Sequence, residues 1–130
     1  MNYCAIDGIN YDVDVSFDDY ENWWEHLDGP NAGRVLYRGQ MHRDVIGTFE
    51  GWTITFRRRG GNYEAFDRLW DYLKRPHDYV TLTAVDGQTE VTQRVYASSA
   101  RRKLNNVSGG VNYWNEMTVN FIPIEATIIS

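Results

Sequence analysis

Apolar and polar residues alternate along much of the chain, which is the period of a β-strand with one buried face. The alternation is clearest in residues 48–59, where polar side chains separate Trp52, Ile54 and Phe56. The same period predicts strands over residues 79–85, 89–104 and 111–124. The dipeptide Asp-Gly, which favours a tight turn, stands twice between such stretches. Short turns and alternation together favour antiparallel pairing.

The N-terminal part of the chain is predicted to be a hairpin. Residues 3–6 and 9–17 flank an Asp7-Gly8 turn, and the second of these segments alternates apolar with acidic or small polar residues. Residues 18–27 fit either a short helix or a strand. We favour extended structure there, because no breaker ends the preceding strand.

Glycine-containing segments interrupt the strand pattern. Residues 28–33 contain two glycines and a proline, and residues 105–110 contain two asparagines and two glycines, so both are predicted to be loops. Residues 34–38 and 41–46 are short β-like pieces on either side of Gly39. We interpret them as a hairpin arm.

One segment has the helical period instead. Asn62 is a suitable N-cap, its side chain able to accept a backbone N–H, and Pro76 ends the segment. Acidic residues lie in the early turns and basic residues in the last turn, as the helix dipole favours. The apolar stripe consists of Tyr63, Phe66, Leu69, Trp70 and Leu73. An amphipathic helix is therefore predicted over residues 62–74.

These elements predict a mainly β protein (α+β by count), an antiparallel β-sandwich or barrel with one amphipathic helix. The 130 residues fit a single domain over residues 1–130, with an extended arm or loop at residues 28–47. The helix must bury its stripe against a sheet face or an open end of the sandwich.

Composition narrows the function classes. The net charge of −5 disfavours a general nucleic-acid binder, which is usually basic. The basic runs at residues 57–59 and 101–103 are interpreted as solvated strand ends or turns. Cys4 is the one cysteine, so no intramolecular disulfide forms. No apolar run is long enough to span a bilayer and no signal peptide is evident, so we expect a protein that is soluble or that leaves its cell by a route other than a cleaved leader.

No motif indicates catalysis, a metal or a cofactor. The histidines, His26, His42 and His77, lack the spacing of a ligand set. Cys4, Ser98 and Ser99 lie in no nucleophile motif, and no phosphate loop is present. The acidic residues Asp12, Asp14 and Asp18 are interpreted as a solvated strand face. We therefore expect no enzymatic activity and no cofactor.

The aromatic share of 15% is high and allows a second interpretation. Trp23, Trp24 and Trp114 lie off the clearest core positions and can stack on sugars. A place in the core or at a subunit interface is favoured over a sugar-binding platform. The alternative function is accordingly a carbohydrate-binding β-sandwich module, and a small hydrolase with loop-borne residues ranks third.

Several stretches resemble small tail proteins encoded by phages and prophages of Gram-positive hosts. The resemblance rests on Leu27-Asp28-Gly29-Pro30-Asn31-Ala32-Gly33-Arg34-Val35 and on Gly39-Gln40-Met41-His42-Arg43-Asp44-Val45-Ile46-Gly47-Thr48. It extends through Tyr79–Ala84 and Val119–Pro123, and so covers most of the chain. The layout of strands, one helix and further strands is also similar to the tail-tube fold of tube, distal tail, baseplate-hub and tail-tip proteins.

This resemblance implies a structural virion protein that forms or caps a ring at the tail tip, baseplate or tube. Its partners would be further copies of itself, in a ring of six or three, and neighbouring tail proteins. It would act in the virion tail after assembly in the host cytoplasm, without a membrane or specific nucleic-acid binding, while DNA passes through passively. The implied inter-subunit arm comprises Arg34, Val35, Tyr37, Arg38, Met41, His42, Arg43 and Asp44. Asp12, Asp14 and Asp18 would form a channel or solvent face.

Overall fold

The computed structural model describes residues 4–28, 33–35, 40–42, 45–125 and 128–129, with side chains described over residues 4–26 and 47–125. Its elements are β1 (Cys4–Ile6), β2 (Val13–Val15), β3 (Glu21–Asp28), β4 (Gly33–Val35), β5 (Gln40–His42), β6 (Val45–Arg58), α1 (Tyr63–Lys74), β7 (Val80–Asp86), β8 (Thr89–Ser108), β9 (Val111–Pro123) and β10 (Ile128–Ile129). The prediction of a mainly β fold with one helix is confirmed.

Eight strands form one antiparallel sheet that curls into a half-barrel, and β4 pairs with β5 separately. The order across the large sheet is β1, β7, β8, β9 and β6. Strands β2 and β3 both pair with β6, and Trp52 of β6 lies between Asn22 of β3 and Phe121 of β9. Strand β3 therefore occupies the edge of β6 that faces away from β9.

The core lies between the sheet and α1. Trp52, Phe66 and Phe121 are fully buried, and burying a large apolar side chain stabilises the fold by about 1.5–3 kcal/mol. The helix begins as predicted, with the Ala65 amide donating to Asn62 Oδ1 at 3.2 Å, and it ends at Lys74. The buried helix residues are Ala65, Phe66, Leu69 and Leu73. They place α1 on one face of the sheet and leave the opposite face uncovered by it.

The predicted N-terminal hairpin is wrong in its pairing. Ile6 and Ile9, on either side of the turn, form a single β-bridge. Beyond this bridge the two segments separate: β1 pairs with β7, and β2 pairs with β6. The Asp7 carboxylate accepts from the Thr81 amide at 2.7 Å, which helps to hold this turn against β7. The turn was therefore predicted correctly, but its two flanking strands have partners elsewhere in the sequence.

The loop predicted at residues 105–110 is mostly strand. Strands β8 and β9 continue pairing until Ser108 meets Val111. Gly109 and Gly110 form the turn with φ of 59° and 76°, the left-handed values that a two-residue hairpin turn requires. The result is a long β8–β9 hairpin that extends past the end of β7.

The ambiguous segment at residues 18–27 contains most of β3, so the extended interpretation is confirmed over residues 21–27. Strand β3 pairs with β6 as far as Asp28 and Val45. Strands β4 and β5 lie in the chain between these two residues. The predicted arm thus contains paired strands, although its side chains from Leu27 to Ile46 lie outside the described residues.

Candidate assembly surface

The sheet face opposite α1 is polar, and its side chains form hydrogen bonds with one another. Thr53 Oγ1 donates to Asn120 Oδ1 at 2.8 Å, and the Thr55 and Thr118 hydroxyls lie 2.9 Å apart. Asn120 Nδ2 donates in turn to Ser99 Oγ at 3.1 Å. This network, which we call the polar face, links β6, β9 and β8. It rigidifies the middle of the sheet without burying an apolar surface against another layer.

Two long strand edges of the sheet have no partner in the described part of the chain, in addition to the outer edges of the three-residue strands β1 and β2. Strand β3 pairs with β6 on one side only. Strand β8 is paired by β7 as far as Val95 and continues alone on that side from Tyr96 to Ser108. We call these the β3 edge and the β8 edge. Because their backbone N–H and C=O groups are not used in the sheet, either edge can accept another strand.

Opposite charges stand at these two edges. Asp19 and Glu21 line one end of a cleft of about 390 Å³ on the polar face, and Arg101 and Lys103 line the other end. Thr53, Thr55, Thr118 and Glu116 lie between them, and Glu116 is the partner of Lys103 on β9. Glu25 is exposed farther along β3, with the same alternation as Glu21. None of the charged side chains at the two edges forms an ion pair within the described residues.

The basic run at residues 101–103 is split between the two faces of β8. Arg102 points toward the helix side, where its guanidinium lies 4.5 Å from the Trp70 ring centroid and 4.3 Å from that of Trp114. Its Nη1 also lies 3.1 Å from Asp67 Oδ1. This stacked arginine fastens α1 to the β8–β9 hairpin. The interpretation of the whole run as a solvated strand end is therefore wrong for Arg102.

The tip of the hairpin beyond this anchor exposes apolar side chains. Leu104 is 47% exposed and Val107 is 60% exposed. The strand irregularities in β8 near Leu104 change the local register with β9. Bulges of this kind turn side chains away from a regular sheet face. The tip is thus an anchored projection with apolar side chains in water.

The predicted acidic face is only partly free. Asp12 and Asp14 are exposed, and each accepts a hydrogen bond of 2.8 Å from Arg59. Asp12 also accepts from the side chain of the helix cap Asn62. Asp18 is exposed in the turn after β2. The structure therefore brings Asp12 and Asp14 together around an arginine, which reduces their field as a joint acidic surface.

Of the predicted arm residues, four have a backbone position in the structure. Arg34 and Val35 lie in β4, and Met41 and His42 lie in β5. Their side chains, and the whole of Tyr37, Arg38, Arg43 and Asp44, lie outside the described residues. The inter-subunit role of this arm stays a prediction.

The three candidate tryptophans do not form one platform. Trp23 and Trp24 are consecutive on β3 and so point to opposite faces, and the ring of Trp23 lies against Gly51. Trp114 stacks on Arg102. Trp24 alone is largely exposed, at 62%, and its ring lies 4.7 Å from that of His26. This arrangement disfavours a sugar-binding surface built from all three.

Catalytic groups are not brought together in the described part of the chain. No cluster of three or more metal-ligating side chains is found there. Burial raises the pKa of the Cys4 thiol to about 12, which keeps it protonated and a poor nucleophile. His77 contacts the Tyr72 carbonyl and ring at the end of α1. Nor does any described helix have the length and apolar character of a membrane span.

No family model matches the chain, and no curated protein is found to be related to it. The two edges and the Arg102 anchor were not predicted from the sequence. The signal for the anchor was present, since strand alternation sends Arg102 to the opposite face from Arg101 and Lys103. The edges had no such local signal, because they depend on which strands pair.

Proposed function

We propose that this chain is a structural protein of a bacteriophage tail, which forms or caps a ring at the tail tip, baseplate or tube through strand contacts between subunits. The observation that carries the proposal is the pair of uncovered edges on β3 and β8. The resemblance of residues 27–35 and 39–48 to phage tail proteins supports the same assignment. So does the curled sheet with a helix on one face.

Long uncovered edges are unusual in proteins that remain single. A monomer normally shortens, charges or covers its edge strands, because open edges template aggregation. This chain covers β7 with the short strand β1, whereas the β3 edge and the β8 edge carry charges but are long, and no described strand covers them. An assembly subunit has a use for such edges, since its neighbour supplies the missing strand.

The hairpin tip supports the proposal independently. Burial of the exposed Leu104 and Val107 against a neighbouring tail protein would stabilise a contact. The Arg102 stack holds the base of the hairpin, so the tip is presented without a large ordering cost. A structural role requires these contact surfaces and requires no active site.

The test is to delete the gene from the phage or prophage that encodes it and to complement the deletion. We expect wild-type protein to restore infectious particles and to occur in purified tails at a fixed copy number, measured by quantitative mass spectrometry. The variant Leu104→Glu/Val107→Glu should fold but restore far fewer particles. The control Gln88→Glu changes an exposed turn residue away from both edges and should complement fully.

Normal tails in the deletion strain, together with absence of the chain from wild-type particles, would refute the proposal. Glycan binding by the purified chain that is lost in Trp24→Ala would favour the carbohydrate-binding alternative instead.

A further inference from the structure

We propose that the sheet face opposite α1 binds an uncharged oligosaccharide, which stacks on a row of aromatic side chains and forms hydrogen bonds in the cleft beside that row. The row crosses the sheet through Trp23, Gly51, Ile122, Tyr96 and Tyr79, and we call it the aromatic row. The inference goes beyond the proposed structural role and does not depend on it, because an assembly subunit and a free module can equally carry such a face.

Strand pairing brings Trp23 and Ile122 into one line across the sheet. Trp23 of β3 is the partner of Gly51 of β6. The next β6 residue, Trp52, is the partner of Phe121 of β9. One step further along this antiparallel ladder, Ile122 is level with Gly51. Trp52 and Phe121 are buried on the helix side, so Gly51 and Ile122 face the other way.

The same line continues on β8 and at the start of β7. Tyr96 is the partner of Ile122. The preceding β8 residue, Val95, is the partner of Val80, and both are buried. Tyr79 directly precedes Val80, so it is level with Tyr96. Both tyrosines are exposed, as alternation requires of side chains that point away from the core.

A glycine makes room for the tryptophan of the row. A Cβ atom built at Gly51 would collide with the Trp23 ring and would lie 2.7 Å from the Phe121 carbonyl oxygen. The indole therefore lies on the backbone of β6, on the surface opposite α1, and it is half-buried there. A ring seated on the sheet in this way offers a stacking surface that is fixed before a ligand arrives.

The other end of the row is held by an ion pair. The Arg94 guanidinium lies 5.4 Å from the Tyr79 ring centroid, and its Nη2 lies 2.6 Å from Glu125 Oε1. Tyr79 is thus restrained by a cation whose charge is already paired. Tyr96, between Ile122 and Tyr79, is the central exposed ring of the row.

Hydrogen-bonding groups lie directly beside the aromatic row. Thr53 and Asn120 are partners two residues along β6 and β9 from Gly51 and Ile122, and they belong to the polar face. Beyond them lies the cleft of about 390 Å³, a volume within the range of small-molecule sites, roughly 300–1,000 Å³. A stacking surface and a hydrogen-bonding surface are therefore adjacent on one face of the sheet.

The side chains of the cleft favour a ligand with hydroxyl groups. Asp19 and Glu21 offer acceptors at one end, and Arg101 and Lys103 offer donors at the other. Because a hydroxyl group both donates and accepts, one uncharged polyol can bond to both ends without ion pairing. A zwitterion would match the charges but would leave the aromatic row uncovered. An oligosaccharide satisfies both surfaces, since its hydroxyl groups reach the cleft and its C–H faces stack on the rings.

The test is an NMR titration of the purified chain with neutral oligosaccharides. The probes are cellotetraose, maltotetraose, chitotetraose and the strongest neutral binders on a glycan array. We expect the wild type to bind at least one of them with a Kd of about 1 mM or below. The indole signal of Trp23 should shift on binding, whereas that of the buried Trp52 should not.

Three variants and a matched control locate the site. Tyr96→Ala removes the central ring, and Glu21→Ala/Arg101→Ala removes a bonding group at each end of the cleft; each should weaken binding about tenfold or more. Tyr96→Phe keeps the ring and should keep most of the affinity. Trp24→Ala removes a more exposed ring from the same strand as Trp23 but from the opposite face, so binding should be unchanged. Circular dichroism checks that each variant is folded.

Folded wild-type protein that binds none of the neutral probes at about 10 mM would overturn the inference. So would an equal loss in Trp24→Ala and Tyr96→Ala, or binding restricted to anionic polymers and abolished by salt. Association between copies that Tyr96→Ala abolishes, without glycan binding, would assign the face to a protein contact instead.

Tail incorporation is measured separately from glycan binding. A chain that is present in tails but binds no oligosaccharide loses only this inference, and a chain that binds through Tyr96 but is absent from tails loses only the tail assignment.

Discussion

Replacement of Arg102 is expected to weaken the fold more than replacement of its neighbour Arg101. The Arg102 side chain is 20% exposed and pairs with an Asp67 side chain that is 44% exposed. It also contacts the faces of Trp70 and Trp114. Arg102→Ala removes all three contacts at once, whereas Arg101→Ala removes no ion pair or aromatic contact within the described residues.

The expected loss follows from the individual contacts. A cation–π contact contributes about 0.5–1 kcal/mol at an exposed site and about 2 kcal/mol when it is desolvated. We therefore assign roughly 1 kcal/mol to each of the two contacts of Arg102, with Trp70 and with Trp114. The Asp67 ion pair is half-exposed and adds about 0.5 kcal/mol after screening. Arg102→Ala should therefore lower the free energy of unfolding by about 2–3 kcal/mol. Arg102→Lys keeps the positive charge but cannot stack a planar group on the two rings, so it should lower the free energy of unfolding by about half as much.

Urea unfolding followed by tryptophan fluorescence and circular dichroism measures this loss. The protein should be dilute and in high salt, so that no association between copies contributes to the measured stability. For a domain of this size the melting temperature should fall by about 3–5 °C for each kcal/mol. In a double-mutant cycle, Arg102→Ala and Trp114→Ala should couple by about 0.5–1.5 kcal/mol.

Two results would refute this reasoning. One is equal stability of Arg102→Ala and Arg101→Ala within about 0.5 kcal/mol, the range usual for surface substitutions. The other is additivity of Arg102→Ala and Trp114→Ala, which would mean that the observed stack contributes nothing. Hydrogen exchange should show the physical consequence directly, with faster exchange in the hairpin tip of Arg102→Ala.

Three further changes test the fold. Gly51→Ala should cost about 2 kcal/mol or more in thermal unfolding, because its Cβ would lie 2.7 Å from the Phe121 carbonyl oxygen; an equal loss in Gly61→Ala, where the space is open, would contradict this. Asn62→Ala removes the N-cap and should cost about 1 kcal/mol by urea unfolding, so unchanged stability would count against the cap. The Cys4 thiol is partly exposed, but desolvation raises its pKa to about 12. At pH 8 it should react with a thiol reagent much more slowly in the folded protein than after unfolding, and equal rates would contradict the raised pKa.

The sequence predicted the secondary-structure elements better than it predicted which strands pair with each other. The helix at Tyr63–Lys74 was predictable because its cap, stripe and stop are all local. The partner of β1 was not, because the choice of β7 over β2 depends on contacts far apart in sequence. At residues 105–108 the polar composition resembled a loop. The Gly109-Gly110 turn nevertheless allows β8 and β9 to pair as far as Ser108 and Val111. A hairpin with water on both faces does not require apolar and polar residues to alternate.

The candidate surface was less predictable than the fold, for a related reason. The basic run was visible as composition, but its meaning depends on strand alternation, which separates Arg102 from Arg101 and Lys103. The charge of Asp12 and Asp14 was also visible, yet Arg59 is far away in sequence and contacts both only because β2 pairs with β6. An acidic stripe on a strand therefore shows which way its carboxylates point. Whether they are free to bind another molecule depends on the side chains that the neighbouring strand brings beside them.

The distribution of charge on this sheet bears on whether its open edges are accidental. Where acids are neutralised within the chain, at Asp12 and Asp14, the arginine that pairs with them directly follows the end of the neighbouring strand β6. Along the β3 edge and the β8 edge, Asp19, Glu21, Arg101 and Lys103 form no ion pair within the described residues, although Glu116 of β9 lies opposite Lys103 and both sets of charges line the same face. The width of β9 and β6 separates the two sets, so they cannot meet within one copy. Pairing both sets at once would therefore require a partner that carries charges of both signs.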